Sequence, residues 1–235
     1  MFVNYAHRGA SHYYPENTLS SFYAGLRMGA NGVETDIHRT KDDVLVLFHD
    51  DTLERVTDGS GNISDYTYEE LLKLRVFSPD RGRVDRILSL EDFCKYFSFR
   101  NISFAIELKQ DGVEKDTIDM LEKYGMREKV VLTSFNYESL KNARAYHPGY
   151  RLGYLYGKDE QKALEKMQAI GGEELCPEAE LLTPAMVKEY HEKGFNVRAW
   201  GVYNPEIMRN AYLCGADGMT VNFPDLLTEF LAQKP

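Results

Sequence analysis

The strongest constraint on the fold is a repeated alternation, in which short apolar segments, each long enough for one strand, are followed by longer stretches of helical period. Repeated strand–helix units of this kind build a mostly parallel sheet covered by helices. Strands are expected at Phe2 to Ala6, Gly32 to Ile37, Val44 to Phe48, Ser103 to Leu108, Val130 to Thr133, Arg151 to Leu155, Glu174 to Cys176, Asn196 to Val202 and Gly218 to Val221. That is one more than a closed eight-stranded barrel holds.

The surplus strand has a physical explanation. His38 to Asp43 is too short for a parallel crossover, which takes a dozen or more residues, so Val44 to Phe48 is expected to run antiparallel to the strand before it, outside the barrel. Turn signals at Asp58-Gly59-Ser60-Gly61 and Pro79-Asp80-Arg81-Gly82 follow, with only short helical stretches at Thr67 to Leu74 and Leu90 to Tyr96. The expected fold is therefore α/β, a TIM (β/α)8 barrel with a small insertion, about residues 50–102, between the second-strand region and the Glu107 strand. Further on, Thr183-Pro184 should cap and open a helix over Met186 to Lys193 that Gly194 closes.

A chain of 235 residues with 43% apolar residues can bury one substantial core, and no linker composition divides it, so a single domain over residues 1–235 is expected. The net charge of −9 repels polyanions and leaves no basic stripe for nucleic acid. A small anionic substrate would need local cations or a metal. Cys94, Cys176 and Cys214 are odd in number and widely spaced, as in reduced proteins. The N-terminus lacks the basic and apolar regions of a secretory signal, and no apolar run approaches the ~20 residues of a membrane span. The chain reads as cytoplasmic, without stable membrane association; its oligomeric state is open.

In barrels of this kind chemistry sits where strands end, so polar residues just after apolar runs are the candidates. His7-Arg8-Gly9-Ala10 ends the first strand, Gly9 permitting a sharp turn, with Glu16-Asn17 following in the same loop as supporting residues. Glu34 and Asp36 share one face of the second strand by the period of two. His49-Asp50 follows Val44 to Phe48, and Glu107-Leu108-Lys109 closes the next strand. Three strand-end carboxylates form the oxygen-rich set that Mg²⁺ or Ca²⁺ takes, and burying like charges together is costly without a cation. Two histidines nearby can exchange protons near neutral pH.

These motifs, in this order, resemble the glycerophosphodiester phosphodiesterase family over nearly the whole chain. His49-Asp50-Asp51-Thr52-Leu53-Glu54-Arg55, the Gly59-x-Gly61 turn, Ser134-Phe135 and Gly215-Ala216-Asp217-Gly218 look like further landmarks of that family. The resemblance implies a hydrolase that releases glycerol 3-phosphate from small glycerophosphodiesters. It also implies that Glu34, Asp36 and Glu107 ligate one divalent metal, that His7 and His49 are the acid/base pair, and that Arg8 and Lys109 hold the phosphate. Trp200 occupies a rim position where the family often carries an aromatic beside the substrate.

The family commonly has Thr-Asp where this chain has Val221-Asn222, a departure expected to touch only a contact away from the metal and proton-transfer residues. Arg86 to Glu91 lacks the proline and threonine usual there, which bears on helix initiation. His12, His38, His147 and His191 have no partner pattern and are expected at the polar surface. Two other readings stay open: a lipid-directed phosphodiesterase resembling lysophospholipase D, which would carry an apolar or amphipathic membrane surface, and a catalytically silent barrel that binds phosphate esters. Loss of a histidine would mark the latter; both are present.

Overall fold

The computed structural model describes residues 2–233. Met1, Lys234 and Pro235, which the expected domain includes, lie outside the described residues. In chain order the strands are β1 (Val3–His7), β2 (Gly32–Arg39), β3 (Leu45–Leu47), β4 (Val76–Phe77), β5 (Val84–Asp85), β6 (Leu88–Ser89), β7 (Ser103–Leu108), β8 (Val130–Ser134), β9 (Arg151–Tyr156), β10 (Glu174–Pro177), β11 (Asn196–Val202) and β12 (Gly218–Val221). Strands β1, β2 and β7 to β12 pair in parallel, each with its neighbours, and the β1–β2 pairing closes the barrel.

The helices are α1 (Leu19–Arg27), α2 (Tyr68–Leu71), α3 (Leu90–Phe97), α4 (Glu114–Lys123), α5 (Tyr137–Tyr146), α6 (Glu160–Ile170), α7 (Pro184–Glu192), α8 (Pro205–Leu213) and α9 (Pro224–Ala232). α1 and α4 to α9 each follow a barrel strand and cover the sheet, as does α3, which follows β6. Thr18, Ser89, Thr183 and Asn204 accept backbone N–H bonds as N-caps, and Pro184, Pro205 and Pro224 open the first turns of their helices. The main core lies between sheet and helices, where Val33, Ile37, Phe104 and Ile106 meet Phe22, Phe93 and Phe97. Each fully buried phenylalanine there stabilises the fold by about 1.5–3 kcal/mol.

The surplus strand lies where the short connection requires. β3 runs antiparallel to β2, with Ile37 opposite Leu47, and β6 adds to its far side. The inserted segment buries its own small core of Val46, Phe48, Leu53, Val56, Ile63, Leu71, Val76 and Ile87. Its end differs from the expected residue 102: α3 packs into the main core and is the crossover helix between β2 and β7, so the inserted core stops at Ile87. Arg86 to Glu91 does initiate a helix, with Ser89 capping it by accepting from the Asp92 N–H in place of a proline–threonine start. The β4–β5 hairpin was not legible because its strands are two residues each.

Inside the barrel, Tyr5, Ala105 and Val131, with Val3 packed against them, form a small apolar floor. The layer beside them is polar. Arg198 is buried and ion-paired to Glu174 at 2.7 Å, and it donates to Thr220 at 2.8 Å. A polar interior satisfied in this way sets the stage for charged groups at the strand ends.

Candidate active site

Strand register brings the first candidates together. His7 on β1 lies opposite Glu34 on β2, and Asp36 on β2 lies opposite Glu107 on β7. With the alternation of strand side chains, all four point into the barrel mouth. Carboxylate oxygens of Glu34, Asp36 and Glu107 lie within 4.8 Å of one another, and all three residues are buried.

The electrostatics of this cluster are strained as it stands. Burial, then the charges of Asp36 and Glu107, push the Glu34 carboxyl well above its ordinary range. Burial and the Asp36 charge push Glu107 up to about 7 against the pull of Lys109. Burial would raise Asp36 too, but Arg8, His49 and Lys109 hold it below the usual carboxylate range. Its Oδ2 accepts from Asn17 Nδ2 at 2.9 Å and lies 3.2 Å from Arg8 Nε, whereas its buried Oδ1 has no hydrogen-bond partner. An orphaned buried carboxylate oxygen beside two carboxyls that resist ionisation is what a hard divalent cation would relieve, so this donor set fits Mg²⁺ or Ca²⁺.

The loop after β1 is held for this purpose. Gly9 has φ +82°, and a methyl there would fall 2.6 Å from the Ser21 carbonyl oxygen. Arg8 and Asn17 both sit in the left-handed region, at φ 55° and 56°, a strain that the surrounding hydrogen bonds must maintain. Arg8 N–H donates to the Glu34 carboxylate at 3.1 Å, Asn17 N–H to the Arg8 carbonyl at 3.0 Å, and Asn17 Oδ1 accepts from Thr35. Glu16 accepts from Arg8 at 3.1 Å and from both terminal nitrogens of Arg55, which also binds Asp50. Glu16 and Asn17 are therefore brought to the site as its frame.

The two histidines have different partners. His7 Nδ1 lies 2.5 Å from Asn222 Oδ1, so Nδ1 carries the proton and Nε2, 3.8 Å from Glu34, presents a lone pair. Burial, then the nearby Arg8 cation, lowers the His7 pKa to about 3. His49 Nδ1 lies 2.5 Å from the Asp50 carboxylate. Burial would raise Asp50, but hydrogen bonds from Arg55 and His49 keep it near 2, so this partner is anionic. Lys109 Nζ completes the arrangement, 3.1 Å from Glu107 and 3.3 Å from His49 Nε2.

A cavity of about 260 Å³ opens onto this cluster. His7, Arg8, Glu34, His49 and Glu107 line its polar side, and Phe135, Leu155, Trp200, Val202 and Tyr203 its apolar side. Trp200 donates its indole N–H to the Tyr156 carbonyl at 3.0 Å and meets Phe135 edge to face at 4.9 Å.

Two sequence expectations need correction. His38 is buried rather than at the surface, with Nε2 3.2 Å from the His49 carbonyl, so it fixes the backbone that carries His49. The signal was present: Glu34, Asp36 and His38 continue one face of β2. Asn222 is not remote from the candidate histidines, because its Oδ1 is the hydrogen-bond partner of His7 Nδ1. Gly218, Thr220 and Asn222 continue one face of the last strand line, which could have revealed it. His12 and His191 are exposed and His147 is half-buried, as their lack of partner pattern suggested.

The sequence profile of the Glycerophosphoryl diester phosphodiesterase family matches residues 7–226. A protein of Caldanaerobacter subterraneus named glycerophosphodiester phosphodiesterase is 30% identical over 229 residues, covering 94% of each chain. An Oleispira antarctica phosphodiesterase, solved with the product sn-glycerol-3-phosphate, superposes with a TM-score of 0.86 at 26% identity, over 97% of this chain and 96% of that one. A Silicibacter pomeroyi structure, 24% identical over 97% of this chain and 92% of its own, shares the fold with a TM-score of 0.88.

Proposed function

The chain belongs to the glycerophosphoryl diester phosphodiesterase family and is an enzyme, a phosphoric diester hydrolase; from that premise we propose how its own residues hydrolyse glycerophosphodiesters to glycerol 3-phosphate and an alcohol. The observation that carries the proposal is the buried carboxylate triad, flanked by two histidines with unlike partners and by two cations. Glu34, Asp36 and Glu107 hold one divalent ion, Mg²⁺ or Ca²⁺. Bound there, a divalent ion would neutralise negative charge at the phosphate and make a neighbouring hydroxyl more acidic.

The chain's residues then divide the remaining work. Arg8 and Lys109 bind the phosphate oxygens and balance the charge that grows on them. His7, held neutral with Nε2 free, accepts the proton of the neighbouring glycerol hydroxyl as that oxygen attacks phosphorus. His49 donates a proton to the departing alcohol oxygen, and Asp50 stabilises the imidazolium that carries it. The P–O bond to the alcohol breaks as the cyclic ester forms. Water opens that ester with the proton transfers reversed, restoring both histidines. Trp200 packs against the substrate at the rim, while Glu16 and Asn17 keep Arg8 and Asp36 in register. Residues 1–235 act as one catalytic unit.

No helix among the described residues is long and apolar enough to cross a membrane. Together with free Cys94, Cys176 and Cys214, this supports a reading of the protein as a cytoplasmic enzyme acting on small deacylated diesters. The test is release of glycerol 3-phosphate from glycerophosphocholine and glycerophosphoethanolamine with Mg²⁺ or Ca²⁺ and with chelator, in wild type, His49→Ala and Glu107→Ala. Metal-dependent release lost in both variants is expected. Metal binding without release from any such diester would instead favour the silent barrel or a lipid substrate.

A further inference from the structure

We infer that Arg55 is a positioning residue for the reaction, tying the loop that carries Arg8 to the loop that carries His49 and so fixing the phosphate-binding cation against the proton donor. The inference rests on the reading of Arg8 and His49 given above. Arg55 belongs to the inserted segment that follows β3, and it does not line the cavity. Its guanidinium is nevertheless the middle of an alternating chain of charge that runs Arg8, Glu16, Arg55, Asp50, His49.

Both carboxylates are gripped in pairs. Arg55 Nε and Nη2 donate to the two Asp50 oxygens at 2.5 and 3.1 Å, and Nη1 and Nη2 donate to the two Glu16 oxygens at 2.8 and 2.7 Å. Two bidentate pairs on one planar guanidinium fix both partners in distance and in plane, which the point charge of a lysine cannot do. Each partner passes the constraint inward. Glu16 Oε1 accepts from Arg8 Nη1 at 3.1 Å, and Asp50 Oδ1 lies 2.5 Å from His49 Nδ1.

The small core of the insertion holds Arg55 in place. Leu53 and Val56, on either side of it, are buried in that core. Leu53 N–H donates to the Gly61 carbonyl at 3.0 Å, and Phe77 N–H to the Val56 carbonyl at 2.8 Å. The insertion thus braces the barrel mouth, and Arg55 is the side chain through which it does so. Exposure separates this role from a contribution to folding. The Arg55 side chain is 46% exposed, and ion pairs at such a site add little to stability, whereas a small displacement of a phosphate ligand or a proton donor costs rate steeply.

Two measurements test the inference. The first compares Arg55→Gln and Arg55→Lys with wild type. Each variant should lose about 10–100-fold in kcat/KM for glycerophosphocholine, with Tm nearly unmoved. On a nitrophenyl ester of glycerol phosphate the loss should be smaller, because a displaced His49 no longer matters there and only the displaced Arg8 does. Full activity in Arg55→Lys, equal losses on the two esters, or a loss that tracks a fall in Tm overturns the inference. The second reads the imidazole nitrogens by NMR without substrate, the His49 signals being assigned by their loss in His49→Ala. In Arg55→Gln the His49 signals should move, while those of His191, which pairs with Asp217 before the start of β12, should stay. His49 signals that stay, or that move together with those of His191, would refute the positioning even if wild type hydrolyses no diester, an outcome that separately sinks the proposed function.

Discussion

His7 and His49 are the same residue type in unlike surroundings, and the proposed division of proton transfer between them rests on that difference. Burial and the Arg8 cation keep the His7 ring neutral while Asn222 accepts at its Nδ1, and the Asp50 carboxylate lies against Nδ1 of His49. Two predictions follow at this scale. His49→Ala should lower kcat/KM for alkyl diesters by roughly 10²–10⁴, yet spare most of the rate on a nitrophenyl ester, whose leaving group needs no acid; His7→Ala should depress both. Equal losses in His49→Ala on the two esters would remove its assignment as the acid. In Asn222→Asp the new carboxylate should raise the His7 pKa, and because a base must be unprotonated, the acidic limb of the kcat/KM profile should move to higher pH. An unchanged limb would show that His7 is not the base that limb reports. His7, Arg8, Glu34, Asp36, His49, Glu107 and Lys109 were each legible as polar residues at strand ends. Asn222 and His38 left only the weaker signal of sharing a strand face with Thr220 and with Asp36, and their partners emerge only when the strand register is known.

At the scale of elements, the site is the product of register. Only with β1, β2 and β7 side by side do His7, Glu34, Asp36 and Glu107 share one mouth. β11 adds the aromatic wall through the irregularity at Gly201. Gly201→Ala should therefore cost about 1–2 kcal/mol for a side chain in the left-handed region, and disturb the wall. The measurement is thermal denaturation alongside the Trp200 emission maximum: a lower Tm with a shifted maximum is expected, and an unchanged spectrum would mean that the bulge does not position the tryptophan. Apolar runs gave the barrel strands away, and the six-residue gap at His38 to Asp43 gave away the antiparallel β3. The end of the insertion was misplaced because α3, though only Leu90–Phe97, is amphipathic toward the main core, and a short helix after turn-rich sequence looks like more of the same loop. β4, β5 and β6, two residues each, are set by tertiary pairing and leave no periodic trace.

For the molecule as a whole, the proposed metal-binding role of the triad predicts that stability depends on metal and pH together. Glu34 and Glu107 have raised pKa values in the folded chain, so the fold binds their protons more tightly than the unfolded chain does. Stability from this source is present below the ordinary carboxylate range and is lost as pH rises through about 7 for Glu107. Chelator-treated protein should accordingly lose Tm between about pH 4.5 and 7, and Glu107→Gln should flatten that decline. Added Mg²⁺ or Ca²⁺ should raise Tm more at pH 8 than at pH 5; a gain independent of pH would separate metal binding from the triad. The most direct measurement is a calorimetric titration of the chelator-stripped protein with Mg²⁺ and with Ca²⁺ near pH 6.5, in buffers of different ionisation enthalpy, for wild type and Glu107→Gln. One ion should bind per chain with release of protons, and binding should be strongly weakened in the variant. Absence of binding, or binding unaltered in Glu107→Gln, would contradict the assignment of Glu34, Asp36 and Glu107 as the metal centre.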